Sequence, residues 1–134
     1  MTAEPGGRLR ILSIEDEALN RALLRASLGK SDNHRLAGAE LVEAVNLADA
    51  RAALAGAIYD LVLLDRRLPD GDGFDLAREL NGAPDRPRIL ALTADAVPAT
   101  RSAAIESGCD ALLTKPYRPA ELLSLIERLI EAAD

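Results

Sequence analysis

Five polar residues of this 134-residue chain stand directly after short apolar runs, and their types are those that phosphoryl chemistry needs. Glu15 and Asp16 follow Arg10-Ile11-Leu12-Ser13-Ile14, and Asp65 follows Leu61-Val62-Leu63-Leu64. Thr93 follows Ile89-Leu90-Ala91-Leu92, and Lys115 follows Ala111-Leu112-Leu113-Thr114. Three neighbouring carboxylates repel one another unless a hard cation lies between them. Mg²⁺ suits such a set, because it takes few protein carboxylates and keeps oxygens of water or phosphate in its octahedral shell. A lysine ammonium and a threonine hydroxyl then supply the charge and the donor that an incoming phosphoryl group requires. A carboxylate can itself be the nucleophile and become an aspartyl phosphate. Asp65 is the best candidate for that role, since it alone of the three carboxylates follows a run with the continuous apolar pattern of a strand buried on both faces.

These residues converge only if the apolar runs are parallel strands, because ligands of such sheets bind at the carboxyl ends of the strands. The intervening segments supply the helices that parallel strands need. Leu19, Ala22, Leu23 and Ala26 recur at helical spacing up to Gly29. Residues 30–38 read as a polar loop, and Glu40 to Val45 as a second strand that ends without a chemically useful side chain. Asn46 occupies an N-cap position, with Leu47, Ala50 and Leu54 on one face of a helix running to Gly56. A turn-rich Pro69-Asp70-Gly71-Asp72-Gly73 precedes a helix carrying Phe74, Ala77 and Leu80. Pro98 suits a first helical turn. Leu122, Leu123, Ile126, Leu129 and Ile130 stripe the last helix. Five strands alternating with five helices predict an α/β fold with a parallel sheet.

Composition sets the outer limits. Apolar residues are 49% of the chain but aromatics only 2%, so the core is aliphatic, and the length fits one domain over residues 1–134. A net charge of −6 disfavours nucleic acid or an anionic membrane as a direct partner. Residues 1–7 are expected to be a flexible N-terminus without the features of a secretory signal, which points to the cytoplasm. The lone Cys109 excludes an intramolecular disulfide and is expected at the edge of the core; His34 receives no role. Only two of the 16 basic residues are lysines, Lys30 and Lys115, so a lysine after the fifth strand reads as a compact point charge that was required there.

In order along the chain, Ile11-Leu12-Ser13-Ile14-Glu15-Asp16-Glu17, Tyr59 to Asp65, Leu68-Pro69-Asp70-Gly71-Asp72-Gly73-Phe74, Ala91-Leu92-Thr93-Ala94 and Leu113-Thr114-Lys115-Pro116 resemble the motifs of response-regulator receiver domains. The resemblance covers Arg8 to Ala132. It implies a flavodoxin-like, doubly wound fold: a five-stranded parallel sheet of order 2-1-3-4-5 with helices on both faces. It implies that Asp65 is phosphorylated by a sensor histidine kinase or a histidine phosphotransfer protein. Asp16, Asp65 and the backbone carbonyl of Arg67 would hold Mg²⁺, with Glu15 acting directly or through water. Thr93 and Lys115 would contact the phosphoryl group, and the Lys115–Pro116 bond would be cis. Output would pass to a protein target, or to a second copy, through the face made by the fourth helix, fifth strand and fifth helix of the family.

Two features depart from the family pattern. Leu112 stands three residues before the lysine, where relatives often carry an aromatic switch residue, and the 30–38 segment is longer than usual. Arg67 and Asp95, each two residues past a site residue, are expected to approach one another and screen the acyl phosphate from water. The rival reading is a haloacid-dehalogenase-like phosphatase, which needs an Asp-x-Asp after its first strand; this chain has Glu15-Asp16-Glu17.

Overall fold

In a computed structural model of the chain, which describes residues 7–95 and 97–133, strands and helices alternate as the apolar patterning requires. The elements run β1 (Arg10–Ile14), α1 (Ala18–Gly29), α2 (His34–Ala37), β2 (Glu40–Ala44), α3 (Leu47–Gly56) and β3 (Leu61–Asp65). A two-residue hairpin follows, β4 (Arg67–Leu68) with β5 (Gly71–Asp72), then α4 (Gly73–Asn81) and β6 (Arg88–Thr93). The chain closes with α5 (Pro98–Glu106), β7 (Ala111–Thr114) and α6 (Pro119–Ala133). The main sheet is parallel throughout, in the order β2-β1-β3-β6-β7. Leaving out the small hairpin, this is the expected order 2-1-3-4-5. The expected flexible segment lies outside the described residues except for Gly7.

Side-chain alternation sorts the core into two layers. Ile11, Leu61, Leu63, Leu90 and Leu113 face α1, α2 and α6 through Leu24, Leu28, Leu36, Leu122 and Ile126. Leu12, Ile14, Val62, Leu64 and Ile89 face α3 and α4, where Leu47, Ala50, Leu76 and Ala77 meet them. Phe74, Ala91 and Ala104 form a smaller cluster under α5, with Leu112 packed against it. All five residues of β3 are buried, so the acceptor candidate rides on the stiffest strand.

Two expectations are corrected. In α1 the buried side chains are Leu24 and Leu28, whereas Leu19 and Leu23 are 69% and 56% exposed. Both pairs have the same four-residue spacing, so periodicity alone does not choose the buried face. Residues 30–38 are not a plain loop but contain α2. The Asn33 side chain accepts from the amides of Arg35 and Leu36 at 2.9 and 3.4 Å, and Leu36 is 1% exposed. A four-residue helix has little stability of its own; this cap and the buried leucine hold it.

The hairpin is fastened at both ends. Asp70 accepts from the Leu47 and Ala48 amides at 2.8 and 3.0 Å, so it caps α3 alongside Asn46, which accepts from the Asp49 amide at 2.7 Å. At the other end Asp72 caps α4 through the Phe74 amide at 2.9 Å. Gly73 lies so close to Asp65 that a Cβ there would sit 2.3 Å from the Asp65 carbonyl oxygen. Only glycine permits that approach.

Candidate functional site

Backbone hydrogen bonds run one residue past the strands at the carboxyl edge. Glu15 N–H donates to the Ala44 carbonyl at 3.0 Å, Arg66 N–H to Leu92 at 3.1 Å and Lys115 N–H to Thr93 at 2.7 Å. The five residues singled out above therefore hang from rigid backbone. Glu15, Asp65 and Thr93 are buried, Lys115 is half-buried, and Asp16 is exposed. The Lys115–Pro116 bond is cis.

The charges are paired unequally. Lys115 Nζ donates to Glu15 Oε1 at 2.7 Å and stands 3.3 Å from Asp65 Oδ2. Glu15 also accepts from the Glu17 amide at 3.1 Å and from Asn20 Nδ2 at 3.2 Å, while its carbonyl accepts from Arg21 at 3.0 Å. Burial works to raise the Glu15 pKa, but the bonds from Lys115 and the Glu17 amide outweigh it and leave it lowered. Burial likewise opposes the charge on Lys115, and the hydrogen bond to Glu15 with the charge of Asp65 leaves its pKa raised. Asp65 receives the least compensation: burial first, then the neighbouring charge of Glu15, push its carboxyl up to about 6, against the pull of Lys115.

That imbalance defines what fits the site. Glu15, Asp16 and Glu17 bring carboxylate oxygens within 4.8 Å of one another, and Lys115 joins Asp65 to this set. A buried, incompletely compensated Asp65 carboxylate beside a cluster of acidic oxygens is a donor set suited to a hard divalent cation. In the segment after Asp65, a groove is lined by Arg66, Arg67, Leu68, Pro69, Gly71 and Asp72, so two arginines border it.

No ion pair or hydrogen bond is found between Arg67 and Asp95 among the described residues, although the Arg67 charge acts on Asp95. Asp95 accepts from the Thr100 hydroxyl at 2.6 Å and from the Val97 amide at 3.3 Å; the Thr100 bond is the main reason its pKa is lowered. The arginine that reaches Thr100 is Arg66, whose Nη1 lies 3.4 Å from the hydroxyl oxygen. Arg67 is exposed and acts on Asp95 through its charge. Side chains alternate along an extended segment, so of two adjacent arginines only one can turn inward. Asn20, Arg21, Arg66 and Thr100 were missed from sequence because each acts through another side chain or a main-chain oxygen.

The sequence profile of the response regulator receiver domain matches residues 11–127. The chain belongs to that family, whose members are the phosphoryl-accepting signalling domains of two-component systems rather than enzymes of the ordinary kind. It is 36% identical over 117 residues to the two-component response regulator ORR41 of Oryza sativa subsp. japonica, covering 85% of this chain and 88% of that one. With the transcriptional regulatory protein ResD of Bacillus subtilis (strain 168) it shares 35% over 124 residues, 92% of this chain and 49% of ResD. The chain spans about half the length of ResD and of the PhoB protein of Pseudomonas aeruginosa, for which the share is 51%. Among solved structures, the receiver domain of the sensor histidine kinase PA1611 from Pseudomonas aeruginosa PAO1 superposes with a TM-score of 0.79 at 30% identity, covering 93% of this chain and 99% of that one. That structure has a magnesium ion coordinated in its active-site cleft. A CheY-like receiver from Methanospirillum hungatei JF-1 has the same fold, with a TM-score of 0.82 at 22% identity, covering 94% of this chain and 96% of the other. No helix among the described residues is long and apolar enough to cross a membrane.

Proposed function

We propose that Asp65 accepts a phosphoryl group from the phosphohistidine of a sensor histidine kinase or histidine phosphotransfer protein. The observation that carries this reading is the position of Asp65: buried, central on the edge, and the least compensated carboxylate of the site. An Asp65 carboxylate oxygen forms the new O–P bond as the P–N bond to the donor imidazole breaks, and the bonding pair stays on that nitrogen. Lys115 passes from Glu15 to a phosphoryl oxygen, and the Thr93 hydroxyl donates to another. When bound, Mg²⁺ neutralises charge on the transferring group, and Asp16, Asp65, the Arg67 carbonyl and Glu15, directly or through water, are the residues that would hold it. The same site later admits the water that hydrolyses the acyl phosphate, so the chain catalyses its own phosphorylation and dephosphorylation and no other turnover.

Residues 1–134 work as one receiver unit in the cytoplasm. Its output passes to a protein target, or to a second copy, through the face of α5, β7 and α6. Ile105, 74% exposed, and the half-buried Leu112 belong to that face. The net charge of −6 supports a protein partner over nucleic acid or a membrane surface.

The test is to incubate wild type and Asp65→Asn with Mg²⁺ and acetyl phosphate or beryllofluoride, and to detect the adduct by intact mass or phosphorus and fluorine NMR. Modification of the wild type alone is expected; equal behaviour of the two proteins would sink the reading.

A further inference from the structure

Leu112 is half-buried against the Phe74, Ala91 and Ala104 cluster, so no ring can flip at that position to report on Thr93. A continuous series of polar contacts runs from Thr93 by another route. The Asp95 amide donates to the Thr93 hydroxyl oxygen at 3.4 Å. The Asp95 carboxylate accepts from the Thr100 hydroxyl at 2.6 Å, and the Thr100 oxygen accepts from Arg66 Nη1 at 3.4 Å. The Arg66 guanidinium lies 4.5 Å above the ring centroid of Phe74 in α4, and its Nε is 3.5 Å from Asp72 Oδ2. Arg66 itself is the residue after the acceptor, its amide fixed to Leu92 and its carbonyl to Gly73.

We propose that Arg66 fastens the β6–α5 loop to α4 while Asp65 is unmodified, and that phosphorylation frees the loop by drawing Thr93 away from the Asp95 amide. This rests on the acceptor role of Asp65. The lengths of the contacts say where the series parts. The middle bond is short and charge-assisted, whereas the two outer ones are at the long limit of a hydrogen bond and are given up with little loss. Thr100, 5% exposed, uses its one hydroxyl both ways: by donating to Asp95 it is oriented to offer a lone pair to Arg66. Loosening at Thr93 therefore shifts Asp95, turns the Thr100 hydroxyl, and removes the partner that keeps Arg66 in place. Val97 and Pro98, at the start of α5, lie between Asp95 and Thr100 and move with them. Their helix carries Ile105 to the proposed output face.

The test is amide hydrogen exchange across residues 97–106 in wild type, Arg66→Ala, Arg66→Lys and Thr100→Val, each with and without Mg²⁺ and beryllofluoride. In wild type, exchange in the first turn of α5 is expected to rise roughly threefold to tenfold on loading, the factor one such hydrogen bond is worth. Arg66→Ala and Thr100→Val are expected to show that faster exchange already in the bare protein and little further response, with Arg66→Lys intermediate. A merely structural role would leave the difference between bare and loaded states intact. If both variants keep the wild-type rates and the wild-type response while forming the adduct, the inference is wrong; so it is if wild type forms the adduct without any change in α5. Should Arg66→Ala not fold, Thr100→Val and Arg66→Lys decide by the same criteria. Absence of the adduct in wild type overturns the acceptor reading itself, and this inference with it.

Discussion

Lys115 bridges Glu15 and Asp65 unequally: its ammonium is 2.7 Å from the Glu15 carboxylate and 3.3 Å from that of Asp65. The ammonium thus serves Glu15 first and leaves Asp65 under-compensated.

That arrangement makes stability depend on pH in the metal-free protein. The folded pKa of Asp65, about 6, lies above its ordinary value of 3.8. The folded form therefore binds more protons, and stability that is fully present below the ordinary value is lost as pH rises through about 6. Asp65→Asn removes the charge. In EDTA at pH 7.5 it is expected to be more stable than wild type by about 1–3 kcal/mol. Thermal melts should show the gap closing near pH 4. A gap independent of pH would contradict the assignment.

Gly73→Ala places a methyl group 2.3 Å from the Asp65 carbonyl oxygen and about as close to the Leu64 side chain as two atoms can come, at 3.0 Å. Because the obstacle is backbone, relief requires moving the acceptor or the start of α4. Urea titration is expected to show a loss of about 2–4 kcal/mol, together with slower phosphorylation by acetyl phosphate. A stable variant with wild-type phosphorylation would show that the hairpin is looser than described.

Leu36→Ala tests whether the 30–38 segment is part of the core. A surface loop tolerates such a change within about 0.5 kcal/mol. A leucine 1% exposed among Leu24, Leu28 and Ile126 should instead cost about 2–5 kcal/mol. Chemical denaturation separates the two outcomes.

Burial pushes the Cys109 thiol up to about 11. Since the thiolate is the reactive form, alkylation by iodoacetamide at pH 8 is expected to be roughly a hundredfold slower in the folded chain than in urea. Peptide mass spectrometry over a time course measures both rates, and equal rates would place the thiol at the surface.

The fold was legible because its strongest signals are short and unambiguous. The uninterrupted apolar run from Leu61 to Leu64, short and β-branched at Val62, reads as a doubly covered strand, and Asp65 inherits its central place from it. Asn46 marked the start of α3 and does cap it. Legibility failed where two residues offered the same local pattern. Leu19 and Leu23 compete with Leu24 and Leu28 for the buried face of α1, and Arg66 and Arg67 are identical neighbours of the acceptor. In both cases the deciding contacts come from elements distant in sequence, α6 and α2 for the leucines, Phe74 and Thr100 for the arginine. The α2 turn was hidden because its stabilising residue, Leu36, is the one large apolar side chain in a polar stretch.

Asp70, holding the first turn of α3 from the tip of the hairpin, has a mechanical consequence. The segment that follows the acceptor is bolted to α3 at Asp70 and to α4 at Gly73, so it is the fixed jaw of a vice. The opposite jaw, carrying Thr93 and Asp95, is tied to the first through Arg66 and Thr100 by a contact of 3.4 Å. Under the proposed function, a change of charge between the two would displace the more loosely tied jaw first.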